Sequence, residues 1–356
     1  MHILVTGGAG FIGSAVVDQL LALGHDVRVV DLLHPGAHRQ KPTYLDDRAA
    51  YTFADLRDPD VAAAAVAGID AVCHQAAMVG LGVDFADVTD YVSHNDLGTA
   101  ALLRALHDRA WAGRFVLASS MVVYGEGRYR CAIHGLVRPA PRPIDRLDTG
   151  RYEPLCPNCD AELTAEAVPE TTPPDPRNVY AATKLQQEFL VNSYAREHDG
   201  TEPVSLRYHN VYGPRMPRNT PYAGVASIFR SAAERGEGPM VFEDGGQRRD
   251  FVHVDDIARA NVASLTVPAS LADGGPVGGP YNVATGDPHT VLDMATALVA
   301  AVGANSPRPE VVGGYRLGDV RHVFASPERA AEVFGFRASV TFDDGMVAFA
   351  SAELRD

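Results

Sequence analysis

The sequence predicts an α/β protein in which helices cover both faces of a parallel sheet. Short, mainly apolar runs at 2–6, 26–31, 50–54, 71–75 and 114–119 predict strands. The segments between them carry apolar residues at helical spacing, and strands that alternate with helices are typical of a doubly wound sheet. With 356 residues, the chain is long enough for this unit and a smaller second one.

The composition excludes several classes of protein. Hydrophobic residues make up 46% and charged residues 21%, which is typical of a soluble globular protein. The formal net charge of −14 disfavours nucleic acid as a partner, because such binders need a basic face. No apolar run approaches the ~18 residues of a membrane-spanning helix, and no secretory signal is recognisable, so we expect a cytoplasmic protein without membrane partners.

A glycine-rich turn separates the first predicted strand from the first predicted helix. Gly7, Gly10 and Gly13 form the pattern G-x-x-G-x-x-G there. The first glycine permits a tight turn, the second a close approach of the backbone to a pyrophosphate, and the third close packing of the helix on the strand. The start of the helix also offers free N–H groups to the phosphates. This turn predicts a Rossmann domain that binds a dinucleotide.

An acidic residue closes the second predicted strand. Asp31 can accept hydrogen bonds from a ribose 2′-hydroxyl, whereas its charge would repel the 2′-phosphate of NADP. Leu32 and Leu33 follow it, so no arginine is at hand to receive that phosphate. We therefore expect NAD as the cofactor. Asp55 and Leu56, after the third strand, are candidate adenine contacts.

Three residues predict acid–base chemistry. Tyr180 and Lys184 stand four positions apart in a predicted helix, so they lie on one face, one turn apart. Because a lysine ammonium near a phenol favours the phenolate, Tyr180 is expected to act as a base below its usual pKa of about 10. Ser120, at the end of the strand predicted at 114–119, is the candidate hydroxyl that hydrogen-bonds a substrate oxygen.

Seven motifs occur in an order that resembles the extended short-chain dehydrogenase/reductase superfamily, in its nucleotide-sugar epimerase/dehydratase branch. The resemblance covers nearly the whole chain outside residues 126–170. The motifs are TGGAGFIGS (6–14), SSMVVYG (119–125), YAATK (180–184), RYHNVYGPR (207–215), RRDFVHVDD (248–256), YNVATG (281–286) and RLGDVRH (316–322).

The resemblance implies a role for each matching residue. Ser120 is the catalytic hydroxyl, Tyr180 the base, and Lys184 its partner, which also holds the nicotinamide ribose. Paired arginines suit a nucleotide diphosphate because their guanidinium forks match phosphate oxygens. The implied substrate contacts are Ser120, Tyr180, Asn210, Arg249 and Arg316. The implied contacts of a tightly bound NAD are Gly7, Gly10, Phe11, Ile12, Gly13, Asp31, Asp55, Leu56, Gln75, Ala76, Asn95, Tyr180, Lys184 and His209.

The two residues after Ser120 limit which reactions the site can catalyse. Dehydrating relatives carry an acid pair there, whereas this chain has Met121 and Val122, which cannot exchange protons. Simple redox at one carbon remains, and we expect an isomerase that epimerises C4 of a nucleotide sugar through a transient 4-keto sugar. A 4-ketoreductase drawing on NAD(P)H is the alternative, which Asp31 disfavours. A non-catalytic NAD-binding sensor is a further alternative, disfavoured by the intact catalytic residues.

The substrate is less closely determined. Residues 78–83 are apolar and would suit a 6-methyl group, which favours a deoxysugar. The cysteine-bearing insertion resembles that of proteins grouped as dTDP-L-rhamnose 4-epimerases. We therefore expect dTDP-L-rhamnose or another dTDP- or UDP-hexose. Relatives pair through two helices per subunit, here expected at 90–109 and 178–197, so a homodimer is expected.

The chain divides into three parts by pattern. Residues 1–125 and 171–212 are expected to form the Rossmann domain. Residues 213–356 are expected to bind mainly the nucleotide sugar, with 250–266 returning to the Rossmann domain. Residues 126–170 form an insertion rich in cysteine and proline.

The insertion carries two chelating pairs. Cys131-x-x-His134 and Cys156-x-x-Cys159 offer three thiolates and one imidazole, a set that suits tetrahedral zinc in a closed, structural site. Such an ion would explain how a proline-rich segment without an obvious core is ordered. Free thiols in a flexible loop and a redox-active Cys-x-x-Cys are the alternatives.

Overall fold

The computed structural model describes residues 1–80, 85–218, 224–268, 277–303, 306–316 and 318–355. Its strands are β1 (His2–Thr6), β2 (Asp26–Asp31), β3 (Ala50–Phe53), β4 (Ala71–His74), β5 (Arg114–Ser120), β6 (Arg128–Cys131), β7 (Gly135–Val137), β8 (Thr164–Glu166), β9 (Glu202–Tyr208), β10 (Asn210–Tyr212), β11 (Met240–Val241), β12 (Arg248–Arg249), β13 (Phe251–His253), β14 (Gly279–Val283), β15 (His289–Thr290) and β16 (Glu310–Val311).

The helices alternate with these strands in the first part of the chain. The α-helices are α1 (Phe11–Ala22), α2 (Pro59–Ala65), α3 (Val88–Tyr91), α4 (Gly98–His107), α5 (Ile144–Asp148), α6 (Val179–Glu197), α7 (Val225–Glu234), α8 (Val254–Thr266), α9 (Val291–Val302), α10 (Glu328–Phe334) and α11 (Phe342–Ser351). The helix expected at 90–109 is divided, because a π-helical segment, Val92–Leu97, joins α3 to α4.

The central sheet confirms the predicted α/β class. Its strand order within the described residues is β14-β9-β5-β4-β1-β2-β3, and all neighbours are parallel. The order reverses between β1 and β4, where Thr6 pairs with His74. In open parallel sheets, ligands bind in the crevice at the carboxyl ends of the strands beside such a reversal. The fold therefore directs the ends of β1, β2, β4 and β5 toward one site.

The two faces of the sheet bury separate cores. Ile3 and Val5 of β1 pack in one cluster with residues of α1 and α8, whereas Leu4 between them joins the opposite cluster, with α2, α4 and α6. Side chains of successive strand residues point to opposite faces, so a strand covered on both sides must be apolar throughout. Each such fully buried side chain stabilises the fold by about 1.5–3 kcal/mol.

The second unit packs beside the carboxyl ends of the sheet. Its core is formed by α7, α9 and α11 and includes the buried residues Tyr212 and Phe251. Several two-stranded sheets belong to the same unit. The sequence assigned only 250–266 of this region to the Rossmann domain. The structure adds β14, which pairs with β9, and α10 packs against it. A short strand placed so far along the chain carries no local sign of its partner.

The insertion is folded rather than irregular. Strands β7, β6 and β8 form an antiparallel sheet, and α5 follows β7. Its buried residues include Tyr129, Leu163 and Ala165, together with Phe324 from the second unit. A bridge between Val168 and Ala325 attaches its end to the main body.

No helix in the described parts of the chain is long and apolar enough to span a membrane. The cytoplasmic location stays a prediction.

Candidate active site

The glycine turn after β1 forms a cradle that only glycine fits. Gly7 has φ +69°, and a Cβ there would lie 2.7 Å from the Ala76 backbone nitrogen. A Cβ on Gly13 would lie 2.1 Å from the Gly7 carbonyl oxygen. The N-cap residue of α1, Gly10, has no side chain to accept from the first amides, and the first turn has no acidic residue. The positive end of α1, which begins with Phe11 and Ile12, thus fits a pyrophosphate.

Asp31 is held at the carboxyl end of β2. Its Oδ2 accepts from the Ala9 N–H at 3.0 Å and its Oδ1 from the Leu33 N–H at 2.8 Å. These bonds fix the carboxylate beside the glycine turn, as an NAD ribose contact requires. Asp55, after β3, is instead paired with Arg57, whose hydrogen bonds lower the pKa of the Asp55 carboxyl.

The remaining residues expected at the cofactor lie in three settings. Leu56 is buried with the core that contains α2 and α4. Gln75, after β4, donates through Nε2 to Asn261 Oδ1 at 2.9 Å and to Tyr208 Oη at 3.0 Å. Ala76 donates its N–H to Thr6 Oγ1 at 3.1 Å, which closes the cradle.

Asn95, an expected cofactor contact, is hydrogen-bonded inside the protein. It is fully buried, its Oδ1 accepts from the Met78 N–H at 2.7 Å, and its Nδ2 donates to Met78 O and Thr183 Oγ1 at 3.0 Å each. All of these side-chain groups are used inside the protein. Asn95 therefore ties the loop after β4 to α6, and its contact with the cofactor stays a prediction.

Ser120, Tyr180 and Lys184 meet at the carboxyl end of β5. Asn178 caps α6 by accepting from the Ala181 N–H at 2.8 Å, which places Tyr180 in the first turn. Ser120 is hydrogen-bonded to Tyr180. Lys184 Nζ donates to the Ala118 carbonyl at 2.9 Å and lies 6.0 Å from the centre of the Tyr180 ring. The arrangement places one hydroxyl, one phenol and one amine around a single point.

The expected lowering of the Tyr180 pKa by Lys184 is wrong for the protein alone. Burial raises the pKa of Tyr180 to about 12, opposed by the hydrogen bond with Ser120. Burial also lowers the pKa of Lys184 to about 7, opposed by the charges of Asp96 and Glu188. The cause is desolvation, which disfavours both charged forms and outweighs their attraction. A further positive charge at this point would be needed to favour the phenolate.

The structure separates the two adjacent serines. Ser119 is 2% exposed, and its hydroxyl bonds to Glu188, which forms a buried ion pair with Arg207 at 2.7 Å. The Ser120 hydroxyl faces Tyr180 instead and is partly exposed. Because Ser119 is occupied by a structural contact, Ser120 alone is available to a substrate. Sequence reasoning missed Glu188 and Arg207, although both stand in or beside the recognised motifs.

Two of the three expected diphosphate contacts lie together. Asn210 donates its N–H to the carbonyl of Asp250, the residue after Arg249, and its buried Oδ1 has no hydrogen-bond partner among the described residues. Arg249 donates only to carbonyls, those of Arg248, Val320 and Arg321. Within the described ranges it has no carboxylate partner, and burial lowers its pKa. A partly buried guanidinium that is not hydrogen-bonded to a carboxylate fits a phosphate.

Two other expected contacts differ from this pair. Arg316 is exposed, with its guanidinium over the Phe242 ring at 5.3 Å, and its contact with the diphosphate stays a prediction. Burial and the charge of Arg249 lower the pKa of His209 to about 3, so this residue is a neutral ring beside the cleft. The apolar segment expected at the sugar continues to residue 83, and residues 81–83 lie outside the described part of the chain.

Comparison with known proteins identifies the family. The family model described as "NAD dependent epimerase/dehydratase family" matches residues 3–141 and 156–284. The chain belongs to this family. The gap at 142–155 falls within the insertion, and the resemblance read from the seven motifs is confirmed.

Three similar proteins cover this family member almost completely. The dTDP-L-rhamnose 4-epimerase of Burkholderia thailandensis is 32% identical over 351 residues, which are 97% of this chain and 92% of that protein. The UDP-glucose 4-epimerase of Mycolicibacterium smegmatis is 31% identical over 350 residues, 97% and 96% of the two chains. The UDP-glucose 4-epimerase of Thermus thermophilus, solved in complex with NAD, has a TM-score of 0.76 and 30% identity, and 98% of each chain is covered.

The cysteine and histidine residues of the insertion also come together in this epimerase/dehydratase family member. Cys131 ends β6, His134 lies in the turn before β7, and Cys156 and Cys159 lie in the loop before β8. Their ligand atoms all lie within 4.8 Å of one another, and none of the three cysteines in the cluster is in a disulfide. The cluster was expected from the spacing of the two pairs.

Proposed function

We propose that this protein is an NAD-dependent 4-epimerase of a nucleotide-diphosphate sugar. The observation that carries the proposal is the meeting of Ser120, Tyr180 and Lys184 at the end of β5, beside the glycine cradle. The positions after Ser120 are Met121 and Val122, which offer no proton donor or acceptor for dehydration. Redox at one carbon, followed by its reversal, needs only the groups that are present.

The residues of the site have distinct tasks in this reaction. NAD, when bound in the cradle, supplies a hydride acceptor and a positive charge beside Tyr180. Tyr180 takes the proton of the sugar O4 hydroxyl as C4 becomes a ketone, and returns it when C4 is reduced from the other face. Ser120 donates a hydrogen bond to O4 throughout. Lys184, one helical turn from Tyr180, is assigned to the nicotinamide ribose, and the positive charge that NAD would bring is what favours the ionised phenol.

The charges of the side chains indicate which cofactor binds and where the diphosphate of the substrate lies. Asp31 supports NAD over NADP, because a 2′-phosphate would meet its carboxylate. Arg249 and Asn210 are assigned to the diphosphate. The resemblance to a dTDP-L-rhamnose 4-epimerase over 97% of this chain supports dTDP-L-rhamnose as the first substrate to test. A structural zinc ion is assigned to the insertion, outside the redox chemistry, since all four ligand positions there are filled by the protein.

A homodimer is the assembly that we propose. Val92 and Leu97 in the π-helical segment and Phe189 in α6 are 44%, 54% and 56% exposed. Large apolar side chains clustered on two neighbouring helices mark an interaction surface. Light scattering should show a dimer that Phe189→Asp converts to a monomer. Leu23→Asp is the matched control, since Leu23 is 62% exposed at the end of α1.

The test of function is incubation of the purified protein, without added cofactor, with dTDP-L-rhamnose, UDP-galactose or UDP-glucose. NMR reports inversion at C4 through the coupling of the C4 proton. Inversion of one sugar supports the epimerase and names its substrate. Consumption of NADPH with a 4-keto sugar, and no inversion, would replace it by a reductase. Absence of both reactions in all three incubations would favour an NAD-binding sensor.

A further inference from the structure

We propose that Cys131, His134, Cys156 and Cys159 bind one zinc ion, and that this ion holds the insertion against the segment that positions Arg249. The first part is a metal site. The second part makes the ion a positioning element for the diphosphate end of the substrate, and only this part rests on the proposed function.

Three of the six distances within the cluster match the edges of a zinc tetrahedron, and all six lie within 4.8 Å. Zn–S bonds of about 2.3 Å and Zn–N bonds of about 2.0–2.1 Å give edges of about 3.8 Å between sulfurs and about 3.6 Å between sulfur and nitrogen. Cys131 Sγ lies 3.7 Å from Cys159 Sγ and 3.6 Å from His134 Nδ1, and Cys156 Sγ lies 3.5 Å from the same nitrogen.

The backbone around the cluster is arranged to present the sulfurs. The Ile133 N–H donates to Cys131 Sγ at 3.4 Å. Cys156 donates its N–H to the Ala161 carbonyl and accepts through its carbonyl from the Asp160 N–H, which closes a tight turn around Cys159. Asp160 has φ +56°, the left-handed conformation that such a turn requires. Amide donors to thiolates are the outer contacts that fix metal ligands.

The insertion needs a constraint besides its core. Its 45 residues, 126–170, bury few large apolar side chains of their own. Units of about 40 residues usually depend on disulfides or metals for stability, because they bury too little surface. Cys131 and Cys156 are 1% and 0% exposed, whereas His134 and Cys159 face solvent, so an ion can reach the site. Three thiols would lose their protons to the solvent as zinc binds.

The two segments that carry the ligands also carry the contacts to the second unit. Tyr129, two residues before Cys131, accepts through Oη from the His322 N–H at 3.1 Å. Glu153, three residues before Cys156, accepts from Arg321 Nη2 at 2.7 Å and contacts His322 Nε2 at 3.0 Å.

These contacts lead directly to the proposed anion site. The Arg321 carbonyl accepts from Arg249 Nη1 at 2.9 Å, and the Val320 carbonyl accepts from Arg249 Nη2 at 2.6 Å. Arg321 is itself 3% exposed and paired with Glu153, Glu243 and Asp244. An ion that joins β6 to the loop of Cys156 thus fixes the positions of Tyr129 and Glu153, the two residues that hold Arg321 and His322.

The metal is tested on the full-length protein, without any activity assay. Elemental analysis after gel filtration in metal-free buffer should find about one zinc per chain, as expected for four protein ligands. Cys156→Ala should lose the metal, whereas His134→Cys should keep it, because four thiolates also bind zinc. Circular dichroism checks that both variants fold. A wild-type chain without zinc, or Cys156→Ala with unchanged zinc, overturns the site.

The positioning role is tested by hydrogen exchange and then by ligand binding. Loss of zinc in Cys156→Ala should speed exchange of the Arg321 and His322 amides, and His134→Cys should leave it unchanged. Calorimetry should show that Cys156→Ala binds dTDP or UDP with a Kd about fivefold higher than that of the wild type, a change at the low end for coupled sites. Unchanged exchange overturns the positioning role. If exchange changes but the wild type binds neither nucleotide, the proposed function fails and the zinc site remains.

Discussion

Adjacent serines at the end of β5 give the sharpest test of the site, because the structure assigns them opposite tasks. Ser120→Ala should remove a hydrogen bond to the reacting oxygen and lower kcat about 10²-fold or more, as loss of one such donor does. Ser119→Ala should leave kcat at the wild-type value, because its hydroxyl is 2% exposed and bonded to Glu188.

The stability effects should run the other way. Removing the buried Ser119 hydroxyl leaves the Glu188 carboxylate short of a donor, which costs about 1.5–3 kcal/mol for a bond to a charged group. Ser120 accepts from the Val122 N–H at 3.4 Å, so its loss should cost only about 0.5 kcal/mol, the low end for a helix cap.

Both quantities can be measured on the same preparations. NMR of the C4 proton gives turnover, and urea unfolding followed by the fluorescence of Trp111, the single tryptophan, gives the free energy of unfolding. Equal loss of turnover in the two variants would refute the assignment of Ser120. Unchanged stability in Ser119→Ala would refute the structural role of Ser119.

Three other changes test separate parts of the structure. Tyr180→Phe should lower kcat about 10²–10⁴-fold, the range for a lost acid–base group, while chromatography of the denatured protein still finds NAD; wild-type-like turnover would exclude Tyr180 as the base. Asp31→Ala should weaken the preference for NAD over NADP, measured as the ratio of the two Kd values for cofactor-free protein, and an unchanged ratio would contradict the ribose contact. Although burial opposes it, hydrogen bonds from His322 and Arg321 lower the pKa of Glu153 to about 2. Because this pKa lies below the ordinary 4.5, the stability that Glu153 contributes is present above pH 4.5 and is lost as the pH falls toward about 2. In urea titrations across that window, the wild type should therefore lose more free energy of unfolding than Glu153→Gln. Parallel curves of unfolding free energy against pH would contradict the pairing.

The parts of the site predicted from sequence are those defined by local spacing. Gly7 lies in the turn after β1, Gly13 in the first turn of α1 and Asp31 at the end of β2. Tyr180 and Lys184 are one helical turn apart, so neighbours along the chain place all five residues. The sequence did not predict that Ser119 and Arg207 share Glu188, because α6, β5 and β9 meet only in the folded sheet.

The failed expectations have the same physical origin. The lysine effect on Tyr180 was inferred from helical spacing, but burial decides the pKa of both groups, and burial depends on elements far apart in sequence. Strand β14 was assigned to the second unit because nothing near it shows that β9 is its partner.

The late position of β14 in the chain has a consequence for synthesis. Until residues 279–283 leave the ribosome, one edge of β9 has no partner, and Asn282 cannot yet bond to Tyr124 and the Val168 carbonyl. About 75 residues separate Tyr208, the end of β9, from Val283, the end of β14, which at 5–20 residues per second is roughly 4–15 s of translation. During that interval, the nascent chain exposes an open strand edge that invites aggregation. Covering of this edge, by a chaperone until β14 emerges and by β14 afterwards, would then limit the yield of active protein.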